Sequence, residues 1–146
     1  MRIAGNPITC SFVNGPGARY VIFLQGCAHH CPGCQNPDTW DFSGGVEMSV
    51  EDIAADIKKH RMIDGITLSG GDPFYQQSEC LKLLDLLPGM NVWIYTGFEW
   101  SEIKGTMLAQ CADGLVTGPF VQALKCEGKY YGSSNQEIHI NHTPCV

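Results

Sequence analysis

The chain has 146 residues, 44% of them hydrophobic and 16% charged, with a formal net charge of −6. That acidic balance, with no Lys/Arg run, argues against a nucleic-acid surface, where phosphates call for clustered cations. The apolar runs fall well short of the roughly 20 residues that span a bilayer, and MRIAGNPITC at the amino terminus lacks the apolar core of a secretory leader. One cytoplasmic domain is therefore expected over residues 1–146. Its eight cysteines point to metal or redox chemistry and away from a disulfide framework.

In chain order, ITCSFVNGPGARYVIFLQG reads as an extended segment, a Gly-Pro-Gly turn and a strand. Residues 20–24 (YVIFL) are continuously apolar, as in a strand buried on both faces. A cysteine-rich loop follows at once. SVEDIAADIKKH predicts a helix with Ser49 as N-cap and Val50, Ile53, Ala54 and Ile57 on one apolar face. Residues 66–69 read as a short strand running into Gly70-Gly71-Asp72-Pro73. YQQSECLKLLDLLPG predicts a second helix carrying Leu81, Leu84 and Leu87, stopped by Pro88-Gly89. NVWIYTG is the next strand. WSEIKGTMLAQCAD is a weaker helix, with Ile103, Met107, Leu108 and Cys111 on one face and Gly105 lowering its propensity. GLVTG is another strand, and NQEIHINH alternates as a final half-exposed one, with His139 and His142 facing outward.

Strands alternating with helices predict an α/β fold with a mostly parallel sheet. A complete eight-stranded barrel needs about 250 residues, so a partial, open (βα) barrel of about five or six mostly parallel strands is expected. Ligands of such sheets bind at the carboxyl ends of the strands. The cysteine loop, Gly70-Gly71-Asp72-Pro73 and Thr96-Gly97 all follow such ends.

Cys27, Cys31 and Cys34 stand in a C-x3-C-x2-C spacing. On spacing alone three readings remain open. A structural zinc site would recruit a fourth ligand, such as Cys126 or Cys145, from elsewhere. A redox dithiol would use Cys31-Pro-Gly-Cys34 and leave Cys27 unexplained. An iron–sulfur cube with three protein thiolates would keep one iron open. His29 and His30 read as loop residues that tune a metal group or meet a partner. Cys126 and Cys145 have no close cysteine neighbours and are not read as a second metal site.

C-x3-C-x2-C after the first strand, followed one βα unit later by Ser69-Gly70-Gly71-Asp72-Pro73, resembles the radical S-adenosylmethionine (SAM) superfamily. VNGPGAR, GCAHHCPGCQN, the nearby TW, LSGGDP, WIYTG and GSSNQE occur in that order over residues 13–136. Together they resemble the activating proteins of anaerobic (class III) ribonucleotide reductases. Two positions depart from that family's pattern. Thr117 stands where Asp is frequent, and Tyr131 where Arg is frequent, which puts partner contacts or fine substrate positioning in question.

The resemblance implies a single domain of the radical SAM type. Cys27, Cys31 and Cys34 would ligate a [4Fe–4S] cluster whose open iron takes the methionyl end of SAM. Gly33, Cys34 and Gln35 would lie against SAM, and Gly70 and Gly71 would meet its amino end, with Asp72 nearby. Tyr95, Thr96 and Gly97 would reach its ribose or adenine. The implied reaction is reductive cleavage of SAM, after which the deoxyadenosyl radical takes a hydrogen from a glycine Cα of the reductase's large subunit. No side chain is catalytic; the radical is borne by the cofactor. A low-potential donor such as flavodoxin or ferredoxin would supply the electron. A short, laterally open barrel would admit a peptide loop from another protein. Two alternatives remain: a radical SAM enzyme acting on another glycyl-radical protein or a small molecule, and a zinc-stabilised interaction module.

Overall fold

A computed structural model describes residues 1–127 and 130–141 of the chain. Eight strands form one sheet: β1 (Arg2–Ile3), β2 (Ile8–Ser11), β3 (Arg19–Leu24), β4 (Val46–Glu47), β5 (Gly65–Gly70), β6 (Val92–Tyr95), β7 (Gly114–Thr117) and β8 (Glu137–Ile140). Their order is β4-β1-β3-β5-β6-β7-β8, with β2 also pairing β3. The centre β3-β5-β6-β7 is parallel, and β1, β2, β4 and β8 add antiparallel edges. The sheet is open. It has eight strands where five or six were expected, because β1 and β4 are only two residues long and show no periodicity.

Continuous apolar runs fill the centre as expected for strands covered on both faces. Ile22 and Leu24 of β3, Ile66 and Leu68 of β5, and Ile94 of β6 are fully buried. Helix α1 (Val50–Lys59) starts where Ser49 Oγ accepts the Asp52 amide at 3.1 Å, and it buries Val50, Ile53, Ala54 and Ile57. Each buried Ile contributes about 1.5–3 kcal/mol of burial free energy. Pro73–Gln76 form a 3-10 turn leading into α2 (Gln77–Asp85). Cys80 and Leu83 are the fully buried side chains of α2, whereas Leu81 and Leu84 only flank the core. Leu87, beyond the end of α2, is buried as expected.

Two further expectations are corrected. The third helix is broken into α3 (Trp100–Ile103) and α4 (Met107–Cys111), with Thr106 capping the second through Ala109 N. Gly105 lies in the break, and Met107, expected on the buried face, is exposed. In β8 the alternation is inverted. His139 is half-buried and stacks on Trp100 at 4.4 Å, while Ile138 and Ile140 are exposed. Trp100 gives the imidazole an apolar cover that the strand pattern could not show. His142 and Cys145 lie outside the described residues.

The amino ends of the parallel strands are closed by Arg19, which is 1% exposed. Its guanidinium donates to Thr67 Oγ1, Asn91 Oδ1 and the carbonyl oxygens of Pro16, Ile66 and Asn91. This is the structural use of the Gly-Pro-Gly-Ala-Arg stretch. No helix among the described residues is long and apolar enough to cross a membrane.

Candidate functional site

The carboxyl ends of β3, β5, β6 and β7 converge on one cavity of about 480 Å3. Cys27, Cys31 and Cys34 line it together with Gln35, Gly70, Gly71, Tyr95, Thr96 and Gly97. Two nominated residues do not face it, namely Gly33 and Asp72.

The cysteine loop is built from local rules. Cys34 N donates to Cys31 O at 3.0 Å, closing a turn with Pro32 and Gly33 at its corners. Gly33 has φ +76, the left-handed value that the third position of a type II turn demands. Its open side is covered by the Gln122 side chain, 2.5 Å from where a Cβ would stand. Gly33 therefore shapes the turn from behind. The loop base is fixed by Gly26 N to Thr39 O and Cys27 N to Trp40 O. Gln25 Nε2 ties the same segment to the carbonyls of Asp38 and Asp41. His30, the one non-glycine residue with positive φ among the described residues, stacks on Trp40 at 4.6 Å. The Asn36 amide donates to Cys34 Sγ at 3.4 Å. Cys27 is buried, and that desolvation raises its thiol pKa in the metal-free chain.

The glycine pair is required by backbone packing. A Cβ on Gly70 would stand 2.5 Å from Leu24 N, and one on Gly71 would overlap the Gly26 carbonyl oxygen. Gly71 N donates to Leu24 O at 2.7 Å, and Asp72 N to Gly26 O at 3.0 Å. The end of β5 is thus laced against the start of the cysteine loop.

Asp72 is buried and its carboxylate is engaged by protein donors. Oδ1 accepts from Phe74 N (3.0 Å) and Thr96 Oγ1 (2.9 Å). Oδ2 meets His29 Nε2 (2.7 Å), Thr96 Oγ1 (2.8 Å) and Gly97 N (2.9 Å). The hydrogen bond to Asp72 raises the His29 pKa, against the opposing effect of burial. The Thr96 hydroxyl also accepts Phe98 N at 3.1 Å. Asp72 and the Thr96 hydroxyl are committed to the fold of the rim. The Tyr95 hydroxyl is the opposite case: it is buried at the cavity wall with no hydrogen-bond partner among the described residues, and burial raises its pKa.

One further wall of the cavity holds residues not nominated for ligand contact. Asn14, Phe120, Cys126, Tyr131 and Gln136 line it. Gln136 Oε1 accepts from Gly132 N and Ser133 N, and its Nε2 donates to Gly118 O, so the Gly-Ser-Ser-Asn-Gln stretch clamps the loop after β7. Ordered motif spacing was the only sequence signal for this wall. Thr117, one of the departures noted above, buries a hydroxyl without a partner among the described residues, and Tyr131, the other, lines the cavity.

A single zinc ion draws its sulfur and nitrogen ligands to about 2.0–2.3 Å from one point. Among the described residues no three His, Cys, Asp or Glu side chains are grouped to hold one ion. Three thiols on one roomy cavity, with an orphaned hydroxyl and a backbone-lined floor, fit a polyatomic cluster and a polar ligand.

The 4Fe–4S single cluster domain family matches residues 13–139. The chain is 35% identical over 141 residues, covering 90% of both chains, to the anaerobic ribonucleoside-triphosphate reductase-activating protein of Enterobacteria phage T4. It is 39% identical over 140 residues to the proteins of that name from Salmonella typhimurium and Escherichia coli K12, covering 87% of this chain and 91% of each relative.

Proposed function

We propose that this chain, which belongs to the family of anaerobic ribonucleoside-triphosphate reductase-activating proteins and carries its 4Fe–4S domain, is a cytoplasmic radical SAM activase of that reductase. The observation that carries the reading is the meeting of Cys27, Cys31 and Cys34 with Gly70, Gly71 and the orphaned Tyr95 hydroxyl around one cavity.

The three thiolates would hold a [4Fe–4S] cluster, which supplies, with SAM on its open iron, the reductive cleavage and the hydrogen-abstracting deoxyadenosyl radical. The rest is the protein's work. The Pro32-Gly33 turn sets Cys31 and Cys34 on one side of the cavity, and the buried backbone of residues 26–27 sets Cys27. Floor carbonyls near Gly70 and Gly71 would receive the ammonium of SAM. Tyr95 would give its hydroxyl to the nucleoside. The walls from Gly118, Phe120, Cys126, Tyr131 and Gln136 would exclude water around the reacting carbon. Val13, 75% exposed, lies on the cavity's lining, so the cavity is reached past an exposed rim. That rim would admit the glycine-bearing loop of the reductase large subunit, with flavodoxin or ferredoxin as electron donor.

The test is anaerobic reconstitution followed by iron and sulfide counts, dithionite reduction with SAM, and EPR of the mixture with the reductase large subunit. About four irons per chain, formation of 5′-deoxyadenosine and a glycyl-radical signal on the reductase are expected. One stoichiometric zinc with no iron would support the interaction-module alternative. SAM cleavage without a radical on the reductase would move the substrate to another protein or a small molecule.

A further inference from the structure

The interval between Cys27 and Cys31 contains a side chain whose seat is more elaborate than a loop histidine needs. The His29 ring is 17% exposed, and its Nε2 lies 2.7 Å from Asp72 Oδ2. Phe98 meets the ring edge-on at 4.6 Å, and Tyr75 flanks it at 5.8 Å. Gly97 leaves room for it: a Cβ there would stand 2.7 Å from His29 Cδ2. That glycine has no positive φ to explain it, so the imidazole is the reason a side chain is excluded. The acceptor is equally specific. Asp72 directly follows Gly70-Gly71, and the same carboxylate binds Thr96 Oγ1 and Gly97 N at the end of β6. One carboxylate therefore joins the cysteine loop, the glycine pair and the β6 rim.

We propose that His29 is a positioning residue, and that the His29–Asp72 hydrogen bond is a latch setting the Cys31–Cys34 turn against the glycine floor and the Thr96-Gly97 rim. The proposal rests on the radical SAM reading for what the latch aligns: the cluster's open iron with the seat of SAM. The loop is otherwise held at its base, by Gly26 N to Thr39 O, Cys27 N to Trp40 O and the His30–Trp40 stack on one side and by the backbone bond from Asp72 N to Gly26 O on the other. His29 is the loop's side-chain tie across to β5 and β6. Groups that orient metal ligands from behind change metal affinity or activity by about 10–100-fold when removed.

The latch predicts an ordered series. His29→Gln keeps an amide nitrogen near the position of Nε2 and can still donate to Asp72. His29→Asn is too short, and His29→Ala has no donor. Gly97→Ala leaves His29 in the chain but fills its seat. Two readouts are needed on protein shown to be folded by circular dichroism. In the metal-free chain, alkylation of Cys31 and Cys34 is expected to speed up at least about fivefold in His29→Ala, His29→Asn and Gly97→Ala, and to return toward wild type in His29→Gln. In reconstituted protein, the change in the reduced cluster's EPR signal on adding SAM is expected to shrink in the same three variants. SAM affinity should fall about tenfold or more, with His29→Gln rescuing both. Equal alkylation rates and an unaltered SAM-induced signal in His29→Ala would overturn the latch, as would a His29→Gln variant no better than His29→Ala. If wild-type protein forms no cluster or does not cleave SAM, the functional reading fails instead, and the alkylation series still decides whether His29 fastens the cysteine loop.

Discussion

Arg19 and Asp72 are charged side chains buried at opposite ends of the same parallel strands, each 1% exposed. The protein solvates them in opposite ways. At the amino ends, the guanidinium donates into carbonyl oxygens and to the side chains of Thr67 and Asn91. Burial lowers its pKa, and the fields of Asp113 and Asp64 oppose that shift. At the carboxyl ends, the Asp72 carboxylate collects backbone N–H groups, a hydroxyl and an imidazole. The partners of Arg19 belong to strand starts and to the loops before them, so its network closes the sheet and goes no further. One partner of Asp72 belongs to the loop that carries three cysteines. Similar burial thus makes a plug at one end and a connection to the chemistry at the other.

The largest expected effect breaks the plug. Arg19→Met removes the donor from three carbonyls and two side chains in a buried place, and about 3–5 kcal/mol of stability should be lost. Urea unfolding measures it. Iron content per folded molecule should not change, because no partner of Arg19 lies in the cysteine loop; a variant that is stable yet fails to take up iron would erase the distinction between the two ends. Gly71→Ala comes next. Its Cβ would overlap the Gly26 carbonyl oxygen, and about 2–3 kcal/mol should be lost to the forced shift. The loss must be present in metal-free protein. If it appeared only as weaker SAM binding, the glycine would serve the ligand and not the β5–loop contact. Asp72→Asn is isosteric and keeps one carbonyl acceptor but places an amide against donors. About 2 kcal/mol is expected, accompanied by the loss of cluster retention that Arg19→Met should not show.

Much of this arrangement was legible in the amino-acid order. The apolar run 20–24, the capped helix after Ser49 and the three rim segments at strand ends all follow from period, caps and the rule that ligands meet strand carboxyl ends. What could not be read was who fills whose space. Gly97 is explained by an imidazole 68 residues earlier, and the open side of the Gly33 turn is covered by Gln122. The family resemblance puts Asp72 near the ligand; in the structure its carboxylate meets Phe74 N, Thr96 Oγ1, Gly97 N and His29 Nε2, partners that no sequence pattern names. The two-residue strands β1 and β4 have no period to detect, and His139 is covered by a tryptophan that no alternation pattern reports.

The smallest effect has the opposite sign and separates groups spent on folding from a hydroxyl left over at the cavity wall. Asp72 and Thr96 are saturated by protein partners, whereas the Tyr95 hydroxyl, one residue before Thr96, is buried with none among the described residues. A buried hydroxyl without a partner costs about 1–3 kcal/mol of desolvation. Tyr95→Phe removes that cost with little change of volume, so metal-free protein should be as stable as wild type or gain up to about 1 kcal/mol. In reconstituted protein the same change should weaken SAM binding several-fold, since the partner the hydroxyl lacks would be supplied by the ligand. Thr96→Val should behave in the reverse manner: it removes one of the donors to the Asp72 carboxylate and destabilises the metal-free chain before any ligand is added. Thermal melts of the two variants, with and without SAM on the loaded protein, separate these roles. A Tyr95→Phe variant that lost stability without ligand would show that its hydroxyl serves the fold after all, and would leave backbone groups as the SAM-facing polar surface of that strand end.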